Sequence, residues 1–156
     1  MPLTTALVFA SGTLTSDDTE VANDATQAIG GKTYTIKASY SNTDGHVTKG
    51  ASRAATLANL AAAINLGAGA GTLYAVAMTQ NDYVRATSNA LVLTVIARDP
   101  GIVGNLNTIG TAPTHWTRSG ANLTSGSGHL DTFFAELEAR GQVNSDLIAT
   151  LARAHA

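Results

Sequence analysis

Apolar residues in this chain fall into short blocks separated by Gly, Asn, Asp and Ser, and the spacing inside each block predicts one element. Residues 3 to 10 (LTTALVFA) form a run with β-branched members that stops at Ser11-Gly12, which predicts a first strand. Tyr34, Ile36, Ala38 and Tyr40 recur at the strand period. Gly30-Gly31, just ahead of them, can take the positive φ angles of a two-residue hairpin turn, so a β-hairpin is expected there. Leu57, Leu60, Ala61 and Ile64 stand at i, i+3, i+4 and i+7, which predicts a helix over residues 52–66 with Ser52 as its N-cap. Its Ala-rich face suits close packing on a sheet.

Leu73, Ala75 and Ala77 alternate with Tyr74, Val76 and Met78 as in a strand, and Asn81-Asp82 turns the chain into a further strand from Val84 to Thr87. After a turn at Asn89, Ala90 to Ala97 (ALVLTVIA) is apolar at nearly every position, the pattern of a central strand covered on both faces. Pro100-Gly101 predicts a type II turn and Gly104-Asn105 another bend, and Thr108 to Thr124 holds a last strand or two. Trp116 lies in that stretch and reads first as a core or rim anchor.

Beyond it the pattern changes. Ser125 to His129 is Gly/Ser-rich and reads as a linker, after which Leu130, Phe133, Phe134 and Leu137 repeat at helical spacing. Gly141 stops that helix and Ser145 caps a second, carrying Leu147, Ile148 and Leu151. The predicted fold class is therefore α+β. A β-rich body, sandwich-like or an antiparallel sheet, with one packed Ala-rich helix occupies residues 1–126, and a C-terminal αα-hairpin or docking arm occupies residues 127–156. Such an arm either folds back over the body or docks on another subunit, which makes Phe133, Phe134 and Leu137, with Trp116, the candidate partner-binding residues.

Composition narrows the function. A chain of 156 residues suits one domain. Charged residues are 13% of it, against ~25% in an average protein, so its surface is easily desolvated and favours contact with neighbours. The net charge of −2 and singly scattered Lys and Arg leave no electrostatic footprint for nucleic acid or an anionic membrane. The lack of cysteine excludes disulfides and thiolate metal sites. With neither an apolar run of 18 residues nor a basic-then-apolar start, the chain is expected to be synthesised in the cytoplasm and to stay out of membranes.

Candidate chemistry is sparse. Asp17, Asp18, Glu20 and Asp24 are oxygen ligands of the kind Ca²⁺ takes, yet they lack the alternation, central Gly and late Glu of an EF-hand loop and read as a solvated loop. Gly67, Gly69 and Gly71 follow a helix C-terminus, whereas a phosphate-binding loop precedes a helix N-terminus. His46, His115, His129 and His155 are widely separated, with no zinc-type spacing. No GxSxG, Ser-His-Asp context or carboxylate pair flanked by aromatics occurs, so the expectation is a protein without enzymatic activity, cofactor or metal.

From Ile29 to Thr124 the chain strings together IGGKTYTI, AATLANLAAAIN, GAGTLYA, LVLTVIARDPGIVGN and the start of SGANLTSG. In that order these segments resemble a small structural module of tailed-bacteriophage virion proteins. The resemblance implies a virion component made in the host bacterial cytoplasm, foremost a capsid decoration or cement protein. Such a protein would bind major capsid protein or other virion subunits, as a homo-oligomer or in many symmetric copies. A tail, baseplate or tail-fibre component is the alternative. From a different class, a receptor- or glycan-binding module would need an exposed aromatic cluster, which only Trp116 and the scattered tyrosines could supply.

Overall fold

A computed structural model of the chain describes residues 6–128. Over these residues the protein is a mixed α+β fold with a β-rich body, an antiparallel sheet and one α-helix. Its strands are β1 (Phe9–Ser16), β2 (Thr26–Ile29), β3 (Lys32–Lys37), β4 (His46–Thr48), β5 (Val84–Asn89), β6 (Val92–Pro100) and β7 (Trp116–Arg118). The helix α1 (Arg53–Asn65) falls between β4 and β5, and a 3-10 turn (Ile102–Leu106) follows β6. One sheet has the order β5-β6-β1-β7 and is antiparallel throughout. The other has the order β2-β3-β4, with β2 and β3 antiparallel and β4 parallel to β3.

Local chemistry explains the best-defined elements. Gly30 and Gly31 adopt φ of 54° and 76°, and the turn they make pairs Ile29 with Lys32. The Ser52 hydroxyl accepts the Ala55 N–H at 3.2 Å, which starts α1, and Leu66 ends it in the left-handed region at φ 50°. Leu57, Leu60, Ala61 and Ile64 are buried on one face of α1, which packs against β5, β6 and β4. Asn59 from the same helix donates to the Thr48 carbonyl at 2.8 Å and ties it to β4. Leu14, Leu93 and Val95 from the four-stranded sheet and Ile29, Tyr34 and Ile36 from the other complete one core.

The edge strand β5 is finished by side chains. Arg98 N–H bonds the Tyr83 carbonyl, so in the alternation of an antiparallel pair Val84 and Ala86 turn their backbone groups away from β6. Asn65, the last residue of α1, accepts the Ala86 N–H at 2.9 Å and donates to the Ala86 carbonyl at 2.6 Å. The Val84 N–H goes to Asn81 Oδ1 at 3.2 Å, and the Val84 carbonyl accepts from Arg98 Nε at 3.1 Å.

Several sequence expectations are corrected. The first strand runs from Phe9 to Ser16, past Ser11-Gly12, because Gly12 is a site of close approach: a Cβ there would lie 3.0 Å from both Ile109 and Leu123. β3 stops at Lys37, leaving Ala38 and Tyr40 exposed. Residues 73–78 form turns with isolated bridges from Tyr74 to Val47 and Ala70, with Tyr74 and Ala75 both buried and Val76 and Ala77 both exposed, so their alternation in sequence corresponds to no strand. In β6, Leu93, Val95 and Ala97 are buried but Val92, Thr94 and Ile96 are only half-buried, so one face is fully covered. Gly101 has φ 84° with ψ −168°, outside the type II turn, and leads into the 3-10 turn. The expected linker is stitched down: Ser127 and Val8 exchange backbone hydrogen bonds at 2.9 and 3.2 Å, as do Thr124 and Ser11 at 3.0 and 2.9 Å. The predicted C-terminal αα-hairpin lies outside the described residues. No described helix is long and apolar enough to cross a membrane.

Candidate partner-binding site

The stretch after β6 turns large apolar side chains outward. Its backbone is held by the Gly104 N–H on the Gly101 carbonyl at 3.1 Å and the Asn107 N–H on the Gly104 carbonyl at 3.2 Å. Side chains three residues apart eclipse in such a turn, which sets Val103 and Leu106 on one side of it. Val103 is 59% exposed and Leu106 74%. With Tyr83, 58% exposed, they border an open groove of about 370 Å³ that Gly30, Gly31 and Thr108 also line. Asp99 and Asn107 give it polar points. Fully covering a side chain such as Val or Leu is worth roughly 1.5–3 kcal/mol, so a molecule that covered this surface would gain from it.

The groove is rigidly built from below. Gly30 N–H reaches the Thr108 carbonyl at 2.9 Å and Gly110 N–H the Ala28 carbonyl at 2.8 Å, which locks the β2–β3 hairpin to the segment after the 3-10 turn. Asn81 is buried beneath Tyr83 and uses both ends of its amide. Its Nδ2 donates to the Ile29 carbonyl at 2.8 Å and the Tyr34 hydroxyl at 3.2 Å, while its Oδ1 accepts from Tyr83 N–H at 3.1 Å. Burial pushes the Tyr34 phenol up to about 12, against the Asn81 hydrogen bond, which favours the phenolate. A buried amide with such partners fixes Tyr83 beside Gly30-Gly31, and the site's geometry follows from that anchor.

Trp116, on β7, is 6% exposed and belongs to the core, so it anchors packing and presents almost no surface to a partner. Phe133, Phe134 and Leu137 lie outside the described residues. The four acidic residues of the 16–24 loop are held apart by separate partners. Asp17 accepts the Thr19 N–H at 2.8 Å, which, with His115 at 3.1 Å, holds its carboxyl below the usual range. Asp24 pairs with Lys37, Asp18 lies 3.7 Å from Arg53, and the Thr56 hydroxyl approaches Glu20 at 3.5 Å. At Asp44 burial opposes the charge, yet Lys32 at 2.6 Å and Thr79 N–H at 2.9 Å hold its carboxyl below the usual range. His46 meets Ser41 at 3.0 Å, far from His115 in the chain. Among the described residues, no group of three or more His, Asp or Glu converges as a metal site would require.

Val103, Leu106 and Tyr83 are the site residues that sequence reading passes over. The available signal was Ile102-Val103 and Leu106 inside GIVGNL, apolar residues in a turn too short to bury them. The chain matches no protein-family model, and no curated protein matches it in sequence.

Proposed function

We propose that this protein is a non-enzymatic structural component of a tailed-phage virion, foremost a capsid decoration or cement protein seated across junctions between major capsid subunits. One observation carries the reading: Tyr83, Val103 and Leu106 stand exposed on a groove whose supporting backbone is fixed by buried hydrogen bonds. A rigid apolar surface of this kind loses little ordering entropy on docking, and the low charge keeps desolvation cheap. The mechanism is linkage. A protein that binds the assembled shell and not the free subunit stabilises the shell by the free energy of that binding. The segments between Ile29 and Thr124 that resemble phage virion modules give the reading its setting. The test is incorporation into particles. In purified virions the chain should be as abundant as the shell's subunit junctions, and Val103→Ser with Leu106→Ser should lower its co-sedimentation with capsids. Abundance matching the tail instead would assign it to a tail, baseplate or fibre, and absence from particles would sink the virion reading.

A further inference from the structure

A second exposed apolar strip lies on the other side of the 3-10 turn. Ile102 is 54% exposed, and Leu7, Val8 and Phe9 are exposed on the strand end beside it. The three backbones meet: Gly101 N–H bonds the Val8 carbonyl at 3.0 Å, Val8 N–H bonds the Ser127 carbonyl at 2.9 Å, and a Cβ on Gly128 would lie 3.3 Å from Leu7 Cα. Gly128 is also where the described chain ends, and 28 residues follow it. Strand and turn therefore deliver the C-terminal segment to the border of the strip.

We propose that residues 130–137 of the same chain occupy this strip, with Phe133, Phe134 and Leu137 covering Ile102, Leu7 and Phe9. Three observations carry the assignment. Leu130, Phe133, Phe134 and Leu137 are spaced to form one apolar helix face. Phe133 is five residues beyond Gly128, a reach of roughly 17 Å, so the strip is inside its range without any intervening spacer. A segment tethered that closely acts at an effective concentration in the millimolar range, which a free partner or second copy must exceed. The strip is then an internal seat, and the Tyr83–Leu106 groove is left as the outward face. The inference is independent of the virion reading, since particles play no part in its test.

The chain has no cysteine, which makes disulfide trapping clean. In the full-length protein, Ile102→Cys is combined in turn with Phe133→Cys, Phe134→Cys or Leu137→Cys, and with Thr132→Cys or Ala135→Cys on the opposite side of the helical repeat. Mild oxidation should link Ile102→Cys to the apolar-face positions within one chain, about tenfold faster or more than to the two controls. Equal rates on both faces would mean a tethered arm colliding at random. Products of dimer mass alone would make a second copy the occupant, and no trapping at any position would mean that the segment does not sit there. Each of these overturns the proposal. As an independent measurement, Phe133→Asp with Phe134→Asp in the full chain should speed amide exchange at Val8 and Ser127; unchanged exchange overturns it equally.

Discussion

The helix α1 and the 3-10 turn Ile102–Leu106 treat apolar residues in opposite ways. α1 is built largely from Ala, with Leu57, Leu60 and Ile64 spaced along one face, and all of that face is buried against β4, β5 and β6. The 3-10 turn carries Ile, Val and Leu in five residues and leaves all three more than half exposed. Hydrophobicity alone therefore does not decide burial. A helix of thirteen residues offers a continuous face to a sheet, whereas a turn of five has no face long enough to bury against the sheet and projects its side chains outward.

The sharpest way to break this contrast is to truncate one leucine on each side. Leu60→Ala, in the core, should lower unfolding free energy by about 2–5 kcal/mol in urea titrations, since the cavity it leaves cannot collapse fully. A loss below about 1 kcal/mol would show that α1 is a loosely packed appendage. Next in size is the Tyr34 phenol beneath the groove. It is held neutral in the folded chain up to about 12, while unfolded it ionises near its ordinary value of 10. Its contribution is whole below about pH 10 and is lost as pH rises toward 12, about 2–3 kcal/mol in all. Melting curves across that range should fall steeply for the native chain and less steeply for Tyr34→Phe; parallel curves would locate alkaline unfolding elsewhere. Ser52→Ala removes the α1 cap and should cost about 1 kcal/mol in the same titration. The smallest effect on stability belongs to the exposed turn: Val103→Ser or Leu106→Ser should stay within about 0.5 kcal/mol of the native value. A large destabilisation there would mean that these side chains are covered by the protein itself, and the contrast with α1 would vanish.

The same contrast explains what could be read in advance. α1 is legible almost to the residue because its cap and its period are local, as is the Gly30-Gly31 hairpin. β4 is not, because three residues carry no period and His46–Thr48 becomes a strand only by lying parallel to β3. Residues 73–78 show the converse, an alternating pattern that found bridges and no ladder. Gly12 has the local look of a stop, because the reason for it, Ile109 and Leu123 pressing from a distant segment, is invisible in the neighbouring residues. The groove was hidden for a related reason. Asn81 ties Tyr83 to Ile29 and Tyr34, and the Gly30–Thr108 hydrogen bond brings the segment after the 3-10 turn alongside, so the groove depends on residues distant in sequence being close in space.

The finish on β5 has a consequence for how crowded copies of this protein behave. Val84 and Ala86 have the outward backbone groups with which an incoming strand would zip up, and in each case Asn65, Asn81 or Arg98 already occupies them. An approaching chain finds those ladder positions filled by side chains that would have to be displaced first. Fibril growth by strand addition is blocked there without the lysines or prolines that usually guard such edges. Copies held at high local density find no free ladder at Val84 and Ala86 on which to begin the open-ended stacking from which chains seldom return.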